Sequence, residues 1–473
     1  MSKKIQDQFI KYNELQDLLL TMDNDEKVNE VKNFIDKNNL LKSQNKTLST
    51  IRLIGSVVLV NPSILHNAVN LLNMYDSFNL YKFKDFYSMD KIADPEITAR
   101  SMVILLIFTL SRHGEFLHDK KSYDYYELAF LTPTEFINGN RMMIYDFKDI
   151  LQLKDEEKIK KRNSLYPIHP IVSLIKEDDL NGLQMYISMN NYNIDLKIKK
   201  SLFDVHVILE NATPLEFSAF FGSINCFKFL LNTSKNIDFK RLLGFAFAGG
   251  NHDIIHIIEN ESHDIESTKE NNLCLHNAIL YFHNDLIEYV LQNYPVKIDA
   301  ESYIKCIYAS NYGALLKLRE IDGSNTINEF GKIGSTPVDI AAFEGYLDFM
   351  KFLILACKVD FKKLNSYGKT ILQSAARSGK LYIVKYIVKH KLVDPNDKGK
   401  FRLSAVRIAR NYYCTDVMNL LKPISTDNLE EEEIFEDDDD DENDDEEEDD
   451  DEEDDDEEED DDEEDDDEEN DDD

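Results

Sequence analysis

The chain has 473 residues, 42% of them hydrophobic, and a formal net charge of −39 at neutral pH. Of the 44 residues from Glu430 to Asp473 only Ile434, Phe435, Asn443 and Asn470 are not acidic. That places 40 of the 92 carboxylates in the tail and leaves 53 basic residues facing 52 acidic ones in the remainder. A run of that composition repels itself and has too little apolar surface to offset the entropy of ordering, which predicts a disordered Asp/Glu tail over 425–473 and a nearly neutral folded body. No direct nucleic-acid binding is expected.

At the start, MSKKIQDQFIKYNELQ lacks a continuous apolar stretch. The most apolar run, Met102 to Leu110, is about half of what a membrane span requires. The expectation is a soluble, cytoplasmic chain with no membrane span. Cys226, Cys274, Cys306, Cys357 and Cys414 are widely spaced, odd in number and free of a CxxC pair, as for isolated core thiols in a reducing compartment. Amphipathic spacing over Phe9–Leu20, Glu26–Leu41, Ile64–Tyr75 and Ile97–Ser111 predicts a helical N-terminal domain over 1–163. Lys158, Lys160, Lys161 and Arg162 read as an exposed helix end or linker, with a nuclear localisation signal, and hence the nucleus, as the alternative. Pro167 and Pro170 mark a boundary.

Beyond it the chain repeats. Segments beginning at Ser335, Lys369 and Leu403 align with Thr336, Thr370 and Ser404 at equivalent positions, 34 residues apart each time. Thr336-Pro337 supplies a capping hydroxyl and a first-turn proline, Ala341 and Ala342 allow close helix packing, and Gly345 permits a tight turn. Ile383, Val384, Ile387 and Val388 then form one apolar face of a second helix. A single hairpin of this kind cannot bury that face, but a stack can. An earlier copy is clear around Thr213, Pro214, Leu215 and Gly222. Weaker ones follow at Arg241 and Leu273, and loose fits lie at His169-Pro170-Ile171 and Ser302–Arg319. The prediction is an all-α, ankyrin-repeat helical solenoid over 164–424 with about eight units, clearest at 213–239 and 335–424.

Three passages carry a family resemblance: HPIVSLIKEDDLNGLQMYI from His169, PLEFSAFFGSINCFKFLL from Pro214 with LLGFAFAGGNHDIIHII from Leu242, and TPVDIAAFEGYLDFMKFLI from Thr336. The chain resembles protist ankyrin-repeat proteins that have an all-helical N-terminal region and a block of degenerate ankyrin-like units before better-formed repeats. The resemblance implies binding of a protein partner, unidentified, through hairpin tips and exposed inner helices. It assigns that role to Lys332, Ile333, Ser335, Phe343 and Glu344; to Ser366, Tyr367, Lys369, Arg377 and Ser378; and to Lys400, Phe401, Asn411 and Tyr412. Lys332, Lys369, Arg377 and Lys400 would together give the groove a positive sign.

Chemical motifs weigh against catalysis. His252-Asp253-Ile254-Ile255-His256 has imidazoles at i and i+4, but Asp253 stands where a zinc protease carries Glu, and the repeat pattern starts a second helix there. Gly331-Lys332-Ile333-Gly334-Ser335 lacks the order of a phosphate loop and sits where a hairpin turn belongs. Neither a metal nor another cofactor is expected. Of the aromatic pairs Phe220–Phe221 and Tyr412–Tyr413, one member each is expected in the core. The leading function is a non-enzymatic interaction scaffold whose tail either competes with acidic partners for the groove or only keeps the chain soluble without a fixed contact. The alternative is a chaperone or buffer for basic proteins such as histones, acting through the tail, with loose calcium buffering a lesser reading.

Overall fold

Thr213, Thr336, Thr370 and Ser404 each precede a short helix, and each accepts a hydrogen bond through its side-chain oxygen from the backbone N–H three residues on. Asp238 and Asp299 do the same for two further helices. These caps set the rhythm of the chain, because each satisfies a donor that a helix start otherwise leaves open. The computed structural model describes residues 2–75, 169–198, 206–261, 272–400 and 403–427. The Ile97–Ser111 stretch, the basic run at 158–162, Phe401 and the Asp/Glu run lie outside them.

Four N-terminal helices, α1 (Ser2–Leu20), α2 (Asp25–Asn38), α3 (Gln44–Val60) and α4 (Leu65–Asn73), precede the repeats. Eight helix pairs then follow among the described residues: α5 (Pro170–Lys176) and α6 (Leu180–Asn190), α7 (Pro214–Phe221) and α8 (Ile224–Thr233), α9 (Phe239–Gly249) and α10 (His252–Glu261), α11 (Leu273–Leu280) and α12 (Leu286–Asn293). The series continues with α13 (Ala300–Ala309) and α14 (Tyr312–Ile321), α15 (Pro337–Phe343) and α16 (Leu347–Phe352), α17 (Ile371–Arg377) and α18 (Leu381–His390), α19 (Ala405–Asn411) and α20 (Thr415–Leu421). No strand occurs among the described residues. The first helices stack one on the next from α5 to α19, and each packs on its own second helix. The protein is all-helical and carries ankyrin repeats.

Burial follows the apolar spacing. Ile383, Val384 and Ile387 of α18 are fully enclosed. Ala341 and Ala342 on α15 and Ala375 and Ala376 on α17 are too, because small side chains allow neighbouring inner helices to approach. The turn between paired helices needs one residue with positive φ, which Gly250 provides without strain. In the less regular units that place falls to Asp178 (φ 51°), Phe282 (φ 66°), Ser310 (φ 53°) and Tyr413 (φ 55°).

The N-terminal helices are part of the same compact unit, Met1–Asp427. Helix α1 lies against α14 and α16, and α3 against α16. The Phe9 ring stacks on Phe352 at 4.0 Å and meets Tyr312 and Phe349 edge-on at 4.7 and 5.1 Å, while Tyr12 stacks on Tyr312 at 4.9 Å. Where Phe9 docks, α16 widens into a π-helical turn over Leu353–Cys357. The carbonyl of Ala356 in that turn accepts a hydrogen bond from the Arg319 guanidinium at 2.9 Å.

Two polar side chains complete the docking by serving helix ends of the repeats. Gln16 Oε1 accepts the Tyr312 N–H at 2.9 Å, at the start of α14, and its amide nitrogen donates to Asn311 at 3.1 Å. Arg52 on α3 donates to the carbonyls of Gly345 (2.6 Å) and Glu344 (3.1 Å), which follow α15, and its guanidinium lies 4.1 Å from the Tyr346 ring centroid. Both residues are buried.

Helix α3 has no counterpart among the four stretches singled out by amphipathic spacing. Every residue from Thr47 to Leu59 is buried, so the helix has no wet face to make its period visible.

Replacing Arg52 by Ala removes a buried donor from the Glu344 and Gly345 carbonyls, of which Gly345 keeps the Tyr382 hydroxyl at 2.7 Å, and should cost about 2–4 kcal/mol, read as a drop in the urea midpoint of the whole unit; a loss confined to the signal of the N-terminal helices would show that the contact is local. Tyr413 is 90% exposed in a left-handed conformation. Tyr413→Gly should therefore raise stability by about 1 kcal/mol in thermal unfolding.

Candidate functional site: the hairpin fingers

The loops before α15, α17 and α19 form fingers that bond to one another through the backbone. In the first, the Gly331 N–H donates to the Ser335 carbonyl and the Gly334 N–H to the Gly331 carbonyl, both at 2.9 Å. In the second, Asn365 N–H reaches the Lys369 carbonyl at 3.0 Å and Gly368 N–H the Asn365 carbonyl at 2.8 Å. The Ser366 N–H then donates across to the Gly334 carbonyl at 2.8 Å, and Lys400 N–H to the Gly368 carbonyl at 3.0 Å. Tips of three successive units are thereby held in register.

Beneath the fingers runs a polar seam. Asp339, at the third position of α15, accepts from Ser374 Oγ (2.7 Å) on α17 and from Asn365 Nδ2 (3.0 Å) in the next finger. Burial pushes its carboxyl above the usual carboxylate range, against the pull of the donors from Ser374, Asn365 and Ser335 and of the Lys369 charge. Gln373, at the same position of α17, receives the Thr370 N–H and donates to the Leu403 carbonyl, each at 2.6 Å. Glu216 on α7 pairs with Arg241 of the next unit at 2.6 Å. A polar side chain at that position repeatedly ties a unit to its successor.

Against this frame the implied binding residues divide. Lys332, Ser366, Lys400 and Asn411 are exposed, as is Ile333. Phe343, Tyr367, Arg377 and Tyr412 are half-buried, with the Arg377 guanidinium 4.9 Å from the Tyr412 ring centroid. Ser335, Glu344, Lys369 and Ser378 are buried. Ser335 is turned to Asp339, Lys369 lends its charge to the same carboxyl, the Glu344 carbonyl serves Arg52, and Ser378 Oγ donates to the Ala375 carbonyl at 3.4 Å.

The expected patch of Lys332, Lys369, Arg377 and Lys400 does not form as one surface. Lys369 faces inward, and Arg377 sits at the far end of α17, a seven-residue helix about 10 Å long, from the finger that precedes it. Positive charge gathers elsewhere: 11 Lys and Arg against three Asp and no Glu between residues 358 and 400. Lys358, Lys362, Lys385, Lys389, Lys391, Lys398 and Lys400 among them are exposed. Local charge density in the sequence could have revealed it. Phe330, 43% exposed with the Lys363 ammonium 3.9 Å from its ring centroid, was also missed; a lone aromatic just before the finger glycine was the available signal.

His252 and His256 are both exposed on α10, and each has a separate carboxylate neighbour, Asp285 at 3.2 Å and Glu259 at 2.8 Å. Asp299, His276 and Ser302 lie close, but Asp299 Oδ1 and Ser302 Oγ both approach the same imidazole nitrogen, Nε2, at 3.3 Å. A general base needs its two nitrogens divided between orienting acid and nucleophile, and Ser302 is fully buried, so the trio is a link between units. Phe220 is buried beside half-buried Phe221, and Tyr412 is half-buried beside exposed Tyr413. Among the described residues no group of three or more His, Cys, Asp or Glu side chains could hold a metal ion, and no helix is long and apolar enough to cross a membrane.

A family model described as Ankyrin repeats (3 copies) matches residues 306–423, and one described as Domain of unknown function (DUF3447) matches residues 224–318. The first spans the regular units with their fingers, the second the irregular units before them. Ankyrin repeats are, as a class, modules of protein–protein interaction. A search of curated proteins found no match.

Gly334 has φ 70°, and a Cβ there would collide with the Ser366 side chain. Gly334→Ala should thus cost about 1–3 kcal/mol in urea unfolding and speed hydrogen exchange at the Ser366 amide; unchanged exchange would show that the ladder between fingers does not hold the tips.

Proposed function

We propose that the protein is a non-enzymatic scaffold that binds a protein partner across the fingers and neighbouring inner-helix ends of its last three repeats. The observation that carries this reading is the backbone ladder from Gly334 through Ser366 and Gly368 to Lys400, which presents Lys332, Ile333, Ser366 and Lys400 outward in fixed register. Pre-ordered tips lose little entropy on binding, and an exposed Ile333 beside Phe330 supplies an apolar anchor among cations. The N-terminal helices support it too: they occupy the outer-helix side at α14 and α16, and Arg52 binds the turn after α15, whereas the finger lies before that helix.

The acidic tail, in this reading, is a tethered competitor. Its 40 carboxylates remain near the repeats at high effective concentration and favour partners able to outcompete them. A second reading, a tail-borne chaperone of basic proteins, draws on the same composition.

Proximity labelling of the full chain, of Ile333→Asp and of a form lacking residues 430–473 separates the two. The scaffold reading expects partners lost with Ile333→Asp and retained, about tenfold tighter at low salt, without the tail. Basic proteins that disappear with the tail and ignore Ile333→Asp would overturn it in favour of the chaperone.

A further inference from the structure

The last repeat ends differently from the others. Between α16 and the finger before α17, the Asp360 N–H donates to Asn328 Oδ1 of the preceding loop at 2.8 Å. After α20 the Thr426 N–H makes the equivalent bond to Asn396 Oδ1 at 2.8 Å, and its hydroxyl donates to the same oxygen at 3.1 Å. The chain thus leaves the stack along the path that a ninth finger would take. Its next residue, Asp427, meets Lys398 Nζ at 3.0 Å through Oδ1 and Arg407 Nε at 3.4 Å through Oδ2, and the Ser404 hydroxyl donates to it.

Arg407 holds the position on α19 that Asp339 and Gln373 hold on α15 and α17, the place where each unit is tied to its successor. Among the described residues, where no ninth unit follows, the Asp427 carboxylate fills the socket. Its side chain is 8% exposed and that of Arg407 12%, while Lys398 stays 48% exposed at the rim.

We propose that Lys398, Ser404 and Arg407 form a carboxylate socket at the open end of the stack, that it receives an acidic, extended segment of the protein partner, and that Asp427 is its built-in competitor. This rests on the scaffold reading and gives the partner a chemistry. The socket can take such a segment because Asn396 offers an acceptor to a backbone N–H one residue from where the carboxylate enters. An extended chain running beside a finger would meet both in sequence. The surrounding excess of exposed lysines between 358 and 400 favours the same sign of ligand.

The test uses the full chain and a fluorescein-labelled poly-glutamate peptide as probe, with affinity read by anisotropy at low and at physiological salt. Lys398→Glu should weaken probe binding about tenfold and Asp427→Asn tighten it about threefold. Lys398→Glu without loss, or Asp427→Asn without gain, overturns the socket. Since Asp427→Asn also removes a cap, thermal unfolding of each variant verifies that the repeats remain folded. Partner labelling that depends on Ile333 while the peptide ignores Lys398 would sink the socket and leave the scaffold standing.

Discussion

A helix of seven to eleven residues has about as many unsatisfied backbone groups at its ends as satisfied ones in its middle, and the described repeats are built almost wholly of such helices. What holds it together is therefore the supply of partners for helix ends. The threonines and aspartates at the N-caps serve their own helices. Other donors reach across units: Asn311 Nδ2 to the Ile279 carbonyl at 2.8 Å, His283 to Ala248 at 3.0 Å, Tyr382 to Gly345 at 2.7 Å. Apolar burial supplies the driving force, but it is indifferent to register. The end-to-end bonds make one spacing between repeats better than its neighbours.

The N-terminal helices make sense in the same terms. Phe9 and Tyr12 give the block its apolar hold on Tyr312, Phe349 and Phe352, yet aromatic packing alone tolerates sliding. Gln16 at the start of α14 and Arg52 beyond the end of α15 remove that freedom, because each must meet particular backbone atoms. A guanidinium suits the second of these positions, since its planar fork spans two successive carbonyls and stacks on Tyr346 at once. Two consecutive repeats are thus pinned to one outside body. Relative motion between α14 and α15 would have to break buried hydrogen bonds at both ends, and this gives the units that carry the first finger a fixed base.

Much of this was legible in the residues, and where it was not the reason is physical. The pairs around Thr213, Thr336, Thr370 and Ser404 could be read because each has a capping oxygen, joined by a first-turn proline at Pro214 and Pro337 and a turn glycine at Gly222, Gly345 and Gly379, features that local backbone geometry demands. The irregular units hide because Phe282 and Ser310 take left-handed turns that tertiary packing stabilises against their local preference. Helix α3 hides because burial on all sides erases amphipathicity. At the fingers the exposed tips were readable from the repeat pattern, since a hairpin ahead of a capped helix must point outward. The burial of Ser335 and Lys369 was not readable because their neighbour Asp339 is set by how units stack, which spacing along one unit does not encode. That of Glu344 was not readable because its neighbour Arg52 lies 292 residues away in sequence.

The last described repeat poses a further problem of the same kind. At an internal junction the third residue of an inner helix is answered by the next unit, so a terminal unit has an unanswered side chain by construction. Here the chain keeps the path of a further finger for a few residues and returns a carboxylate to Arg407. Among the described residues this answer is one carboxylate, met by Lys398, Arg407 and the Ser404 hydroxyl, with two hydrogen bonds to Asn396 and no packed helix pair, and Lys398 at its rim is already half in solvent, which favours exchange. Internal junctions are closed by burial and must stay closed for the protein to remain folded, whereas the last is closed by charge and can open without unfolding anything before it.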